Sequence, residues 1–216
     1  AVAGQRSRLV EHLLWGKRGL NEKFVLDSGR SLIFEIQPRS FFQPNTLQGQ
    51  RLASLVGGLA QSALTGGRVL DLYCGAGNLA LCVAPYAEEV LGVEIVADAV
   101  EDARRNASAN GLKNVSFVAS DVGVWLETKE AQEWCSDVEL VLLDPPRSGL
   151  IGSAVEHVSM IGSKAIIYVS GNPEALGRDL ARLEEVGYST SRAQPVDMFP
   201  HTQHVENVVL LERVYA

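Results

Sequence analysis

Between residues 68 and 187 the chain alternates short, wholly apolar runs with longer segments of helical spacing, and few folds accept that order. Arg68–Leu72, Glu89–Val93, Val115–Val118, Leu140–Leu143 and Ala165–Val169 read as strands. Asn78–Tyr86, Ala97–Ala109, Val122–Trp134 and Pro173–Val186 read as helices, the second ended by Asn110-Gly111 and the last by Gly187. Strands that are apolar on both faces and separated by helices belong in a parallel sheet covered on both sides. The alternation then stops. Tyr188–Val196 and Val205–Arg213 are both strand-like with only the loop Asp197–Thr202 between them, and strands joined directly are most simply antiparallel. Upstream, Phe24–Leu26 and Leu32–Ile36 flank the polar turn Asp27–Arg30, a hairpin signal. Pro44–Ala63 carries Leu47, Leu52, Leu55, Val56, Leu59 and Ala63 at helical spacing. The expectation is an α/β fold: a doubly wound, mostly parallel sheet with a C-terminal antiparallel hairpin, preceded by a short N-terminal β-hairpin. Residues 1–40 form the hairpin and linker segment, and 41–216 the main domain.

Composition narrows the function classes. The 216 residues carry 26 acidic and 19 basic side chains, a formal charge of −7. A dedicated nucleic-acid binder is usually basic, because neutralised phosphates supply most of its affinity. Taken alone, the charge argues against RNA or DNA. No run of about 18 apolar residues appears, so no membrane span is expected. The opening AVAGQRSRLVEHLL lacks a signal-peptide layout and suggests a trimmed or internal start. Cys74, Cys82 and Cys135 are too few and too scattered for a disulfide framework or a zinc site, so no metal is expected. Three unpaired cysteines suit an intracellular, reducing compartment.

The segment Val69–Asn78 is a strand, a glycine turn and the start of a helix. Gly75-x-Gly77-x-x-Ala80 satisfies the dinucleotide fingerprint loosely, and Glu94 follows near the expected ribose-binding acid. Asp71 discriminates. A dinucleotide would bring its pyrophosphate to this turn, where an added carboxylate repels it. S-adenosylmethionine brings an ammonium and a sulfonium, and both favour negative charge. Glu94 offers two acceptor oxygens to the ribose hydroxyls, and Asp121 falls where an adenine-edge contact is expected. The competing reading of Asp71 is a turn or capping residue.

Four further segments carry a family resemblance: Arg39–Asn45 (RSFFQPN), Asp144–Gly149 (DPPRSG), Tyr168–Pro173 (YVSGNP) and Asp197–Glu206 (DMFPHTQHVE). With the glycine turn, they resemble the catalytic domain of the RNA (uracil-5-)-methyltransferases, which act on tRNA and ribosomal RNA. The resemblance runs from about residue 20 to residue 214. It implies a class I methyltransferase fold and a cofactor site lined by Gln43, Tyr73, Asn78, Glu94 and Asp144, beside Asp71, Gly75 and Gly77. It also implies that Asp144 lies near the target base, that Glu206 is the general base, and that Phe42 and Pro146 shape a pocket for a flipped uracil. Arg39 and Arg147 are phosphate contacts on this reading, or simply solvated arginines on the other. Glu206 has its own alternative as an exposed strand carboxylate. The resemblance further implies a monomer, and an N-terminal RNA-binding module that these residues do not carry. Such a module would reconcile an acidic domain with an RNA substrate.

The family chemistry needs a thiolate. Uracil C5 is too weak a nucleophile to attack a methyl sulfonium, so a cysteine adds at C6 and gives C5 carbanion character. C5 then takes the methyl group from the sulfonium, which leaves as a neutral thioether; a base removes the C5 proton and the cysteine is expelled. The family places that cysteine directly before Asn-Pro; this chain has Gly171 there. None of the three cysteines is expected to stand in. Three readings follow: a uridine-C5 RNA methyltransferase domain inactive or impaired at Gly171, a non-catalytic relative binding S-adenosylmethionine and RNA, or a methyltransferase acting on another atom without a covalent adduct.

Overall fold

The structure is a computed structural model that describes residues 12, 14–16, 19–38 and 42–214. It opens with a two-stranded hairpin, β1 (Leu20–Val25) and β2 (Ser31–Ile36), followed by α1 (Thr46–Ala63). The main sheet and its helices follow as β3 (Arg68–Leu72), α2 (Asn78–Val83), β4 (Val90–Glu94), α3 (Ala97–Ala109), β5 (Val115–Ala119), α4 (Val122–Leu126), α5 (Lys129–Trp134), β6 (Val138–Leu143), α6 (Ala154–Ile161), β7 (Ala165–Ser170), α7 (Pro173–Glu185), β8 (Tyr188–Val196) and β9 (Glu206–Arg213). The seven-stranded sheet has the order β5-β4-β3-β6-β7-β9-β8. Its first five strands are parallel, and β9 pairs antiparallel with both β7 and β8. The doubly wound sheet with a terminal antiparallel hairpin is therefore as the sequence implies.

Alternation along the strands gives each face its own core. Val69, Val90, Leu140, Leu142, Ile167 and Val169 pack beneath α1, α2, α3 and the N-terminal hairpin, whose Phe24, Leu32 and Phe34 belong to the same buried cluster. Leu70, Leu72, Val141, Leu143, Ile166 and Tyr168 face α4–α7. The chain winds outward from β3 to β5 and then crosses back to β6, which opens a crevice at the strands' carboxyl ends on either side of β3.

Three local expectations are revised. Val122–Trp134 is two helices, because the Thr128 side chain accepts from the Ala131 amide and starts α5 afresh. Leu47 is exposed, since α1 starts at Thr46 and buries Gly49, Leu52, Ala53 and Val56 instead. The helix α6 is additional, an eight-residue segment ended by left-handed Gly162.

At the amino ends of the central strands one carboxylate ties three segments. Glu139 on β6 accepts from the Thr65 amide and hydroxyl, from the Gly67 amide at 3.0 Å, and from Lys164 Nζ at 2.6 Å. Against the opposing effect of burial, these bonds bring its pKa from 4.5 down to about 2. A depressed carboxylate stabilises the fold above its unfolded pKa, and that stability is lost as pH falls through the folded value. Glu139→Gln should therefore cost about 2 kcal/mol at pH 7, with the gap from the parent closing between pH 4.5 and 2 in pH-dependent chemical denaturation.

Candidate active site

The crevice holds a cavity of about 460 Å³. Its floor is made by strand ends. Asp71 lies on β3 and Glu94 ends β4, while Asp144 follows β6 and Gly171 follows β7. Glu206 reaches the same edge because it begins β9, which runs the opposite way. In the β7–β9 register Ser170 faces Asn207, so one further step sets Gly171 against Glu206.

Asp71 is fully buried. Its Oδ2 accepts from the Ala80 amide at 3.0 Å in the first turn of α2, which orients the glycine turn between them. That turn is tight, with left-handed φ at Tyr73 (66°), Gly75 (54°) and Gly77 (83°). A non-glycine residue in this region costs on the order of 1 kcal/mol or more, and here Tyr73 is held by the hydrogen bond its backbone N–H donates to the Val93 carbonyl at 2.9 Å. Glu94 spans the far side of the turn: Oε2 accepts from the Gly75 amide at 3.2 Å and Oε1 from the Val96 amide at 2.8 Å. A second lone pair on each oxygen remains for a ligand.

Electrostatically the cavity is crowded with carboxylates. Burial pushes the Asp71 carboxyl well up, and the charge of Asp144 adds to it. Burial, then the charge of Glu206, raises Asp144 to about 7. Burial raises Glu206 as well, opposed by the Arg147 guanidinium. Three buried acceptor oxygens on residues that line this one cavity have no hydrogen-bond partner: Gln43 Oε1, Asp71 Oδ1 and Asn78 Oδ1. Unpaired buried acceptors destabilise a fold unless a ligand satisfies them. These call for a ligand rich in N–H and O–H donors or carrying positive charge.

Of the residues singled out from sequence, Gln43, Asp71, Tyr73, Gly75, Asn78, Glu94, Asp144, Pro146, Arg147, Gly171 and Glu206 all line the cavity. Gly77 lies beneath it, where an added Cβ would come within 3.1 Å of Leu81, Phe117 and Ala103. Asp121 caps α4, its Oδ1 accepting from the Val124 amide at 3.0 Å, and stands outside the lining while its charge still raises the Tyr73 hydroxyl after burial. Phe42 turns away too: its ring packs 5.4 Å from Phe24 and 5.5 Å from Phe34, in the hairpin's aromatic cluster. Arg39 lies outside the described residues. Sequence reasoning misses Ile95, which lines the cavity beside Glu94 although 64% exposed, and Phe199 in the loop before β9. An apolar residue directly after a strand-terminal acid is the available signal for Ile95.

The geometry at residue 171 bears on the missing nucleophile. A Cβ there would sit 2.6 Å from Glu206 Oε1 and 3.1 Å from its Cδ, so the glutamate already fills the space of a side chain. The native cysteines offer no thiolate: burial raises Cys82 to about 12 and Cys135 to about 11, and it raises Cys74 too, helped by Asp71 and Glu94.

Comparison with known proteins places the chain. The family model described as tRNA (Uracil-5-)-methyltransferase matches residues 11–214. An uncharacterised RNA methyltransferase of Protochlamydia amoebophila is 40% identical over 212 residues, covering 96% of this chain and 48% of the relative. Another, of Caldanaerobacter subterraneus, is 42% identical over 205 residues, covering 94% and 43%. The crystal structure of Pyrococcus abyssi tRNA (uracil-54, C5)-methyltransferase in complex with S-adenosyl-L-homocysteine superposes with a TM-score of 0.74 at 32% identity, over 91% of this chain and 45% of that one. The chain thus spans about half the length of the curated relatives it matches. Its motifs, its sheet order and these matches agree: the chain belongs to the tRNA (uracil-5-)-methyltransferase family.

Proposed function

We propose that the cavity binds S-adenosylmethionine and that the chain is the methyl-transferring part of an RNA methyltransferase of the uridine-C5 class, with the covalent step disabled at Gly171. The observation that carries the cofactor reading is the set of unpaired acceptors on Gln43, Asp71 and Asn78 in a cavity otherwise walled by Glu94 and Asp144. When bound, the cofactor supplies an electrophilic methyl on a sulfonium. Asp71 and Asp144 offset its positive charge, the free lone pairs of Glu94 accept from ribose hydroxyls, and Ile95 gives the adjoining apolar surface. The bound dinucleotide alternative is disfavoured because its phosphates would meet these carboxylates.

The uridine ring would enter beside Pro146 and Arg147, between Asp144 and Glu206. Glu206 is suited to take the C5 proton, since burial raises its pKa toward the range where a carboxylate acts as a base. What is missing is the bond from residue 171 to C6. A glycine cannot form it, and Glu206 fills the space. Phosphate contacts for an acidic domain of −7 would come from a basic RNA-binding module outside these 216 residues, and we take the working unit to be a monomer in a reducing compartment.

Gly171→Cys tests this directly, with labelled S-adenosylmethionine and 5-fluorouracil-containing RNA. The added side chain displaces the Glu206 carboxylate, a flexible group, so the fold should accept it. A covalent RNA adduct and methyl transfer to uridine C5 are expected in the cysteine form and absent from the parent. Equal trapping by the parent would overturn the loss of nucleophilic addition. Methylation by the parent at an atom other than uridine C5 would favour an enzyme that needs no adduct.

A further inference from the structure

The N-terminal hairpin is bound to the domain through its backbone. The outward N–H groups of β2 go to one face of α3: Ile33 to Asn110 Oδ1 at 2.8 Å and Glu35 to Asn106 Oδ1 at 2.8 Å, with Gln37, just beyond β2, reaching Asp102 Oδ2 at 3.4 Å. Alternate strand residues advance about 6.6 Å and every fourth helical residue about 6.0 Å. An antiparallel helix can therefore stand in for a neighbouring strand over three steps, with drift showing at the far end. Asn110 Nδ2 completes its pair by donating to the Ile33 carbonyl at 2.7 Å. The β1 side is held likewise by α1, where Gln50 and Ser54 accept from the Val25 and Asp27 amides.

The middle rung differs from the others. Asn106 is fully buried, and its Nδ2 donates to the Ala76 carbonyl at 3.3 Å. Ala76 is the central residue of the Gly75–Gly77 turn, between two left-handed glycines. One amide thus grips the hairpin with its oxygen and the glycine turn with its nitrogen. The same helix presses Ala103 close beneath Gly77.

We propose that Asn106 is a positioning residue for the cofactor loop, and that through it the N-terminal hairpin braces the S-adenosylmethionine site. The proposal rests on the cofactor reading given above. Asn106 touches neither the cavity nor any reacting atom; it fixes the carbonyl that sets the turn's geometry. Asn110 makes the same kind of bond to the same strand and, although its Nδ2 also donates to the Asn106 carbonyl at 2.8 Å, forms no hydrogen bond to the turn among the described residues, so it is the control for loss of a hairpin bond alone.

The test is calorimetric binding of S-adenosylhomocysteine to Asn106→Leu and Asn110→Leu in the full chain, with thermal unfolding of each. Loss of the brace should weaken binding about tenfold in Asn106→Leu, and leave Asn110→Leu within about twofold of the parent. Binding unchanged in Asn106→Leu, or weakened equally in both, overturns the proposal. Should Asn106→Leu not fold, Glu35→Pro deletes the hairpin donor without altering α3 or the turn, and because that N–H points to Asn106 and not to β1 it breaks no bond of the β1–β2 ladder. Weakened binding in Glu35→Pro supports the brace, and parent-like binding overturns it. If the parent itself fails to bind S-adenosylhomocysteine, the cofactor reading falls. Hydrogen exchange at the Cys74–Gly77 amides then decides: faster exchange in Asn106→Leu than in Asn110→Leu supports the brace, and equal exchange overturns it.

Discussion

A carboxylate buried in the middle of the sheet is the constraint on which the rest of this structure depends. Asp71 sits in the central strand with no exposure, between Val69 and the end of β3, on the face that packs under α1 and α2. A lone buried charge is costly unless it is hydrogen-bonded or loses its charge. The fold meets half of that requirement by aiming the Ala80 amide at Oδ2, which fixes where α2 begins and forces the chain through three left-handed residues. The other oxygen is left to the cavity. Glycine turn, helix start and ligand site therefore follow from one side chain.

The same logic extends around the cavity. Four carboxylates line it with Arg147 as the only basic residue of the lining among the described residues; burial raises the pKa of Asp71, Asp144 and Glu206, and repulsion adds to it at Asp71 and Asp144. Such an arrangement is poor for an anionic ligand and well matched to a sulfonium and an ammonium. The net acidity of the chain, which at first argues against a nucleic-acid substrate, is in part the acidity of this site.

How far the sequence carried the reading depends on whether the information is local. Strands Arg68–Leu72 and helix Ala97–Ala109 are legible to the residue, because apolar runs and the Asn-Gly stop are local signals. Glu94 and Asp144 are legible for the same reason: each ends or follows an apolar strand, and strand ends in a parallel sheet meet at one edge, whereas Glu206 begins the antiparallel β9 and is legible only through the family motif. What is not legible depends on partners distant in the chain. Phe42 is drawn into an aromatic cluster by Phe24 and Phe34, and Asp121 is taken by the Val124 amide as a cap. The overlap of Glu206 with the side-chain space of residue 171 follows from the β7–β9 register, which no single segment encodes. Asn106 reads as an ordinary polar helix residue until the hairpin and the glycine turn are both in place.

The central claim is that these carboxylates form a site for a cationic cofactor. Calorimetry of S-adenosylmethionine binding at pH 7, in buffers of different ionisation enthalpy, tests it most directly, with S-adenosylhomocysteine and a nicotinamide dinucleotide for comparison. Burial and the charge of Glu206 raise Asp144 to about 7, and Asp71 is raised as well, so a cation beside them should expel protons. The expected result is binding of S-adenosylmethionine with proton release, less release with the uncharged sulfur of S-adenosylhomocysteine, and no binding of the dinucleotide. Binding of the dinucleotide, or of S-adenosylmethionine with no more proton release than S-adenosylhomocysteine, would contradict it.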